Sequence, residues 1–366
     1  MKLKWLLALT LLHFSCLGAS LKVSLVIPDD ADSSFWAMVV ATSQSVADDL
    51  DVQLDVHYSD TNRFATRSAI EAITQQQYKP DYIIYRPLQG NAIEVLDIIE
   101  SSKIPFITLE QGFNDAELAQ IGQPQQKYQY WLGTVIYDDV AAGDLLSQAL
   151  LKQHHLNKPN KKMSITGIGG GFDRVSVARQ LSLQPSSKRN KEIIVNQIFP
   201  MSWSVENVKQ QFPQVQKRYP ETDAYWCVAD IFALTIIEQL KLGAVAANKP
   251  ILIGGFDWLP AAIDKIKSGE MTASVGGHFL MAAKALLDIV EYHKGTDTRF
   301  EQKPMAKFEL IDQSNVELYQ PFIKQLPWPE IDYRQFSKVY NKQGQTPELS
   351  VANLQTAYAK LKITQK

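Results

Sequence analysis

Cysteine is nearly absent from this sequence, which has two cysteines in 366 residues. Cys16 lies in an N-terminal stretch with the features of a leader, so Cys227 is the one cysteine expected in the mature chain. A single cysteine excludes an internal disulfide. Because Cys227 lies inside the apolar run 225–229, we expect its thiol to be buried and unreactive.

Long hydrophobic runs and basic clusters are missing as well. No segment after the N-terminal stretch reaches the roughly 18 apolar residues needed to cross a bilayer. The formal net charge is -2 and no arginine-rich patch occurs, so we expect neither nucleic acid nor an anionic membrane surface as a partner. A content of 45% hydrophobic and 21% charged residues is typical of a folded protein, and the length allows two domains.

Motifs for catalysis and for cofactor binding are also scarce. The glycines of 167–171 follow a predicted strand, but Phe172 stands where a dinucleotide fingerprint needs a small residue, and no Walker lysine follows. His154 and His155 are neighbours and cannot share one helical face. The sequence has no His-x-x-x-His or Cys-x-x-Cys spacing and no Gly-x-Ser-x-Gly elbow. We therefore expect no metal, no cofactor and no enzymatic activity.

The first 20 residues have the layout of a secretory signal peptide. Lys2 and Lys4 give a basic start, an apolar core follows at 5–12, and small residues lie at 18–20. An uncleaved anchor is disfavoured because the apolar core is too short to span a membrane. Lipidation of Cys16 is disfavoured because no leucine precedes it by three residues. We expect cleavage near Ala19 or Ser20.

Strands and helices alternate along the remaining chain. Short apolar runs separated by amphipathic stretches predict strands at 21–27, 52–58, 82–85, 106–109, 163–168, 193–198, 224–228, 251–255, 271–275 and 308–311. This alternation predicts an α/β fold of doubly wound parallel sheets with right-handed crossovers. Because the pattern restarts after Gly133, we expect two lobes. A possible terminal helix at 347–361 follows the last strand.

The stretch 251–277 carries a resemblance to a known family. It reads Ile-Gly-Gly-Phe-Asp at 253–257, Pro-Ala-Ala-Ile at 260–263 and Ile-Lys-Ser-Gly-Glu-Met-Thr-Ala-Ser-Val at 266–275. This pattern resembles the second lobe of bacterial periplasmic sugar-binding proteins of the ribose-binding type, which share their fold with lactose-repressor effector domains. The resemblance covers about 21–311. It implies a type I periplasmic binding protein fold, in which a three-segment hinge joins two doubly wound parallel-sheet lobes.

The resemblance also implies where the lobes begin and end. The hinge would cross near Val135, Gly277 and Lys307. The expected units are a signal peptide at 1–20, an N-terminal lobe at 21–135 plus 278–307, a C-terminal lobe at 136–277 plus 308–345, and a C-terminal extension at 346–366.

Candidate ligand-binding residues follow the predicted strands, because the carboxyl ends of parallel strands face the crevice where ligands bind. The eight candidates are Phe35, Trp36, Arg86, Glu110, Arg179, Trp203, Asp230 and Asp257. Aromatic rings can stack on sugar C–H faces, while carboxylates and guanidiniums can bond hydroxyls. Each candidate has a structural alternative: the aromatic residues could be core, Arg86 and Glu110 solvated charges, and Asp257 a helix cap. We expect Arg86 and Arg179 to lie on opposite walls of one cleft and to repel each other when it is empty.

The resemblance supports some candidates and weakens others. Phe35 and Trp36 correspond to the stacking pair of the family, Trp203 to a single aromatic residue, and Asp257 to an acid. Arg179 corresponds to a ligand arginine if a gap is allowed, and Arg174 is the alternative. Changes at three further positions indicate a ligand other than ribose. At these positions the chain has Glu110-Gln111, Ala229 and Gly277 where ribose binders have Asp-Arg, Asn and Gln.

The function implied by the resemblance is that of a periplasmic, non-enzymatic binding protein. A monomer would close on a small polar ligand, a sugar or a sugar-like compound, and present it to an ABC permease. The alternative is a sensory protein that signals to a membrane sensor kinase, as autoinducer-binding relatives do; the extra C-terminal segment favours this partner. A repressor effector domain would need a DNA-binding headpiece where this chain has a leader, and an enzyme would need a reactive constellation of side chains.

Overall fold

The structure, a computed structural model, describes residues 20–28, 34–59, 62–110, 113–184, 191–243, 250–296, 300, 306–342 and 345–364. In these residues it forms two α/β lobes, each built on one sheet. Residues 1–19 of the predicted signal peptide lie outside the described ranges.

The first lobe is built on a parallel sheet of five strands in the order β2-β1-β3-β4-β5. Its strands are β1 (Leu21–Ile27), β2 (Val52–Tyr58), β3 (Tyr82–Tyr85), β4 (Phe106–Leu109) and β5 (Trp131–Val135). Its helices are α1 (Ser34–Asp49), α2 (Arg63–Thr74), α3 (Ala92–Ser102) and α4 (Asp115–Ile121). The strands β3 and β4 are buried along their whole length, as continuous apolar runs in a sheet covered on both faces should be.

The second lobe is built on a sheet of six strands in the order β11-β10-β9-β8-β6-β7. Its strands are β6 (Met163–Gly169), β7 (Ile193–Pro200), β8 (Ala224–Cys227), β9 (Leu252–Phe256), β10 (Ala273–Gly276) and β11 (Glu309–Asp312). Its helices are α5 (Asp139–Asn157), α6 (Arg174–Gln180), α7 (Val205–Arg218), α8 (Asp230–Lys241) and α9 (Pro260–Lys267). Only β11 runs antiparallel, against β10, among the strands described.

Three chain segments run between the lobes and form the hinge. The first leaves β5, the second leads from β10 through Gly277 into helix α10 (Met281–His293), and the third leads into β11. Helix α10 packs on α1 of the first lobe although it follows the second lobe in sequence. Tyr137 and Ala306 form a parallel bridge, and the Asp138 amide donates to the Ala306 carbonyl at 3.0 Å. The first and third crossings are therefore held side by side by backbone hydrogen bonds.

The segment after β11 contacts both lobes. Helix α11 (Val316–Gln325) packs on α9 of the second lobe. The Tyr333 amide donates to Asp49 of α1 at 2.6 Å, and the Lys338 amide donates to Glu291 of α10 at 2.8 Å. Although the predicted boundary assigns 308–345 to the second lobe, these two bonds are made with helices that pack on the first lobe.

The chain continues into a terminal helix, α12 (Val351–Thr364). Tyr358 of α12 contacts Phe322 of α11 edge to face, with 6.1 Å between ring centroids. The strands predicted after Gly133 agree with the structure to within about two residues at their ends, a normal scatter for element boundaries. Helices α4 and α11 and strand β5 were not predicted from the sequence.

Candidate functional site

Arg86 and Glu110 form an ion pair at the carboxyl ends of β3 and β4 in the first lobe. The Arg86 Nε donates to Glu110 Oε2, and the two side chains are 15% and 9% exposed. Burial by itself would raise the pKa of Glu110, but the charge and the hydrogen bond of Arg86 outweigh it and leave the pKa lowered. The two charges are therefore stabilised by pairing with each other rather than by hydration.

Arg179 is the centre of the corresponding cluster in the second lobe. Its Nε donates to Asp139 Oδ1 at 2.8 Å, and its Nη1 donates to the Val228 carbonyl at 3.1 Å. The guanidinium also lies over the Phe256 ring, 4.8 Å from the centroid. Only 3% of the side chain is exposed. Because different nitrogens of the guanidinium donate to different acceptors, the group is held in one orientation.

The approach of helix α6 to helix α5 brings Arg179 to this place. Gly143 of α5 lies directly against the Arg179 carbonyl oxygen, and a Cβ at Gly143 would overlap that atom. A glycine is needed here for close approach of two backbones rather than for an unusual turn. The Asp173 side chain caps α6 by accepting from the Ser176 amide at 3.0 Å, which fixes where the helix begins.

Asp257 lies next to Arg179, directly after strand β9. Its Oδ1 is 3.9 Å from Arg179 Nη1 and 3.4 Å from His278 Nε2. The residue has a φ of 111°, in the region where an aspartate is tolerated better than most residues. Burial raises the pKa of Asp257 to about 7, against the lowering effect of Arg179. Burial likewise raises the pKa of Asp139 to about 6.

The charges of the two lobes act on one another. The positive charge of Arg179 helps to lower the pKa of Glu110, and that of Arg86 acts to lower the pKa of Asp139. Arg86 and Arg179 therefore lie within electrostatic range of each other. Each guanidinium has its own carboxylate partner, Glu110 or Asp139, so the repulsion that the sequence argument assumed between the two arginines is offset in this structure.

The three candidate aromatic residues lie in different surroundings. Phe35 is half-buried and stacks on the His278 ring, with centroids 4.5 Å apart and an interplanar angle of 28°. Trp36 is 8% exposed and belongs to the main hydrophobic core. Trp203 is 41% exposed, its ring lies against Gly170, and its Nε1 donates to Asp173 Oδ2 at 2.5 Å. Phe35 and Trp203 thus keep ring surface near the cleft, whereas Trp36 serves mainly to pack the lobe.

Asp230 supports the loop that carries Asp257. It is fully buried, and both of its carboxyl oxygens lie 2.8 Å from the Ser274 hydroxyl. The Leu259 amide donates to Asp230 Oδ2 at 3.0 Å. Trp258, the residue after Asp257, is fully buried, and its Nε1 donates to the Ser274 carbonyl at 3.0 Å. The side chains of Asp230 and Trp258 therefore make their hydrogen bonds within the second lobe.

The remaining sequence candidates lie at the edge of the site or outside it. Arg174 donates to Asp115 Oδ1 of the first lobe at 2.6 Å rather than joining the buried cluster. Gln111 lies outside the described residues. Cys227 is fully buried, as expected, and burial raises the pKa of its thiol well above the ordinary value.

Two residues of the site were not among the sequence candidates. Asp139 and His278 are the partners of Arg179, and both are nearly or fully buried. Each follows closely on a hinge crossing, Asp139 after the first and His278 after the second. The sequence candidates all follow strands within a lobe, whereas Asp139 and His278 are polar residues that follow a crossing.

The arrangement suits recognition of a polar ligand. Among the described residues, no three or more metal-ligating side chains lie together. None of the helices described has the length and apolar character of a membrane span. Opposed charged pairs can donate to and accept from hydroxyl groups, while Phe35 and Trp203 offer ring faces.

The chain was compared with known proteins at the level of sequence family and of structure. A family model described as a periplasmic binding protein domain matches residues 23–296, well over half of the chain. A search of curated protein sequences finds no match. The similar structures described below are all less than 25% identical, so their likeness shows the fold.

A periplasmic sugar-binding protein from Pseudomonas fluorescens is 20% identical, with a TM-score of 0.78 over 92% of this chain and 99% of that chain. A periplasmic solute-binding protein of an ABC transporter from Actinobacillus succinogenes, with bound D-allose, is 16% identical, with a TM-score of 0.69 over 82% and 100%. The periplasmic binding component of the arabinose ABC transporter from Shewanella, bound to α- and β-L-arabinofuranose, is 15% identical, with a TM-score of 0.70 over 83% and 96%.

Proposed function

This chain belongs to the periplasmic binding protein family, and from that premise we propose that it is a solute-binding protein whose two lobes close on a sugar or a sugar-like compound. The ligand would lie between the Arg86–Glu110 pair of the first lobe and the Arg179, Asp139 and Asp257 group of the second. The observation that carries the proposal is this placement of two buried, oppositely charged pairs at facing carboxyl edges.

The chemistry of these groups favours a ligand with many hydroxyls. A hydroxyl both donates and accepts, so it can bond a guanidinium and a carboxylate at the same time. Half-buried Phe35 and exposed Trp203 would cover the C–H faces of the ring. In a site of this kind each unpaired buried polar group costs about 1 to 3 kcal/mol, so a matching pattern of hydroxyls would discriminate strongly among sugars.

Ligand-dependent closure would turn binding into a signal for a membrane partner. We propose hinge motion between 21–135 with 278–307 as one lobe and 136–277 with 308–345 as the other, with 346–366 as an extension. The partner is an ABC permease, as for the transporter-associated structural relatives named above. A sensor kinase is the second candidate, favoured by the segment after β11. Tyr333 of this segment contacts Asp49 of α1, and Gln320 contacts Asp264 of α9, so the segment offers surface on both lobes. The mature monomer would act in the periplasm after removal of its leader.

The experiment that tests the proposal is calorimetric titration of the purified mature protein with a panel of sugars. The panel comprises D-allose, L-arabinose, D-galactose, D-ribose and myo-inositol, with L-glutamate as a non-sugar control. We expect micromolar or tighter binding of at least one sugar and weaker binding of ribose. Small-angle scattering of the bound protein should show a smaller radius of gyration than that of the empty protein. Binding of glutamate but of no sugar would overturn the proposal.

A further inference from the structure

His278 lies in the second hinge crossing, close to Arg179 and Asp257. It begins a short 3-10 turn, His278–Leu280, directly after Gly277, whose φ of 97° turns the chain out of β10. The imidazole is 2% exposed. Its ring stacks on Phe35 of the first lobe, and the centroid of Phe308 in the third crossing lies 4.8 Å away. Residues of both lobes and of the hinge thus meet at this ring.

The hydrogen-bond and ion-pair contacts described for the His278 side chain are made at one ring nitrogen. Its Nε2 lies 3.3 Å from Arg179 Nη2 and 3.4 Å from Asp257 Oδ1. On the other ring nitrogen, Nδ1 is buried and has no hydrogen-bond partner among the residues that the structure describes. The charge of Glu110 in the first lobe also acts on the imidazole, which places His278 close to both charged pairs of the site.

The neighbours of Nε2 decide which nitrogen carries the proton. A guanidinium nitrogen can only donate, so Nε2 next to Arg179 must accept. Burial, together with the charge of Arg179, lowers the pKa of His278 well below its ordinary value, and the ring is therefore neutral. A neutral imidazole has one proton, and with Nε2 as acceptor this proton lies on Nδ1. Burial raises the pKa of Asp257 to about 7, so Asp257 can lie next to Nε2 as a protonated acid. In that form it does not require a proton on Nε2.

The consequence is a buried N–H donor without an acceptor. Buried donors are almost always satisfied, and one that is not marks a place where a bound molecule can supply the missing partner. From this observation, and resting on the function proposed above, we infer that the Nδ1–H of His278 donates a hydrogen bond to an oxygen of the bound sugar. His278 would thereby help to select sugars that have an acceptor oxygen facing the hinge.

Two substitutions separate the two ring nitrogens. Asn places an amide nitrogen near the position of Nδ1, whereas Gln places one near Nε2 and leaves the Nδ1 position empty. In titrations with the tightest-binding sugar of the panel, we expect His278→Asn to stay within about threefold of wild-type affinity and His278→Gln to lose about tenfold or more. Thermal unfolding of the empty variants reports separately on folding. Equal loss in both variants with unchanged unfolding temperatures would overturn the inference.

Nitrogen NMR of the empty wild-type protein, labelled in its histidines, tests the tautomer without any variant or ligand. The signal of His278 is assigned as the one missing from His278→Asn. We expect a protonated Nδ1 and an unprotonated Nε2, with Nδ1 shifting when sugar binds. A proton on Nε2 in the empty protein would overturn the inference even if sugars bind. Failure of every sugar to bind would instead contradict the proposed function, and with it the sugar contact, whichever tautomer is found.

Discussion

Arg174 of helix α6 and Asp115 of helix α4 form an ion pair between the two lobes, with 2.6 Å between Nη1 and Oδ1. The Asp115 side chain is 93% exposed, so the pair lies at the edge of the cleft and not in its buried centre. It connects the lobes through protein groups alone. Contact between the lobes at this edge therefore does not require a ligand.

Breaking this pair should open the empty protein slightly. We expect Asp115→Asn to increase the radius of gyration measured by scattering and to weaken sugar binding by about two- to fivefold, since exposed ion pairs are weak. High salt should have the same effect on the wild type because it screens exposed charges. Glu94→Gln is the matched control, because Glu94 pairs with Arg67 within the first lobe at 3.1 Å. An identical change in the control would refute the role assigned to Asp115.

Trp203 should contribute more to ligand affinity than the exposed Phe172 does. We expect Trp203→Ala to weaken sugar binding by about 1 kcal/mol through loss of a stacking face, with little change in stability, since the ring is partly exposed. Phe172→Ala is the control, because Phe172 is 83% exposed in the adjacent glycine-rich turn. Calorimetric titration of both variants checks this prediction. Comparable losses in the two variants would contradict a specific role for Trp203.

Substitution of Asp230 should lower the stability of the protein more than its affinity for sugar. Asp230→Ala would leave the Leu259 amide and the Ser274 hydroxyl without their acceptor, at about 1 to 3 kcal/mol for each buried group. Asp230→Asn keeps one acceptor oxygen and should be milder. Urea unfolding of the empty proteins measures the difference. Loss of sugar affinity in Asp230→Ala at unchanged stability would mean that Asp230 touches the ligand directly.

Asp257 should make stability depend on pH between its unfolded and folded pKa values. Burial raises its pKa from 3.8 to about 7, so over this window the folded protein keeps a proton that the unfolded chain has lost. The free energy of unfolding should then fall as the pH rises from about 4 to about 7, by at most about 1.4 kcal/mol per pH unit for this proton. Above pH 7 this contribution to stability is gone.

Asp257→Asn should flatten that slope. Asn is neutral and tolerates the positive φ of this position, so the empty variant should be as stable as the wild type or more stable at pH 8. At pH 8 the Asp257 carboxyl of the wild type is ionised, so sugar affinity should fall in the variant, which cannot accept a charge-assisted hydrogen bond. Asp139→Asn serves as the comparison, since it should flatten the curve only up to about pH 6. Urea unfolding at a series of pH values checks both variants, and a wild-type slope in Asp257→Asn would disprove the assignment.

Export should shorten the chain. The N-terminal layout predicts cleavage near Ala19 or Ser20, so the periplasmic protein should have lost about 18 to 20 residues. Mass spectrometry of protein from a periplasmic extract, compared with the full-length chain made without export, measures this loss. Recovery of the uncleaved mass from the cytosol would contradict the predicted signal peptide.

Much of the fold could be predicted from local patterns. Strands such as Leu252–Phe256 are continuous buried runs, and their alternation with amphipathic helices leaves few topologies other than two doubly wound sheets. The pattern of strand β5 (Trp131–Val135) is broken by Gly133, and helix α4 has seven residues, too short for clear periodicity. Helix α11 contains Pro321, which signals a helix end in sequence. These three elements were missed because their patterns are short or interrupted, although the capping box between Asn114 and Glu117 is a local signal for the start of α4.

The site was determined only in part by the sequence. The sequence alone places Arg86, Glu110 and Asp257 at strand ends, because the end of an apolar run and the turn-forming residues after it indicate where a strand stops. Tertiary structure decided the partners: Asp139 for Arg179, Ser274 for Asp230 and Asp115 for Arg174 lie 40, 44 and 59 residues away in sequence. Hydrogen bonds and ion pairs depend on distances of a few ångströms, which sequence spacing does not report for residues 40 or more positions apart. For the same reason His278, which has no motif around it, entered the site only through the fold.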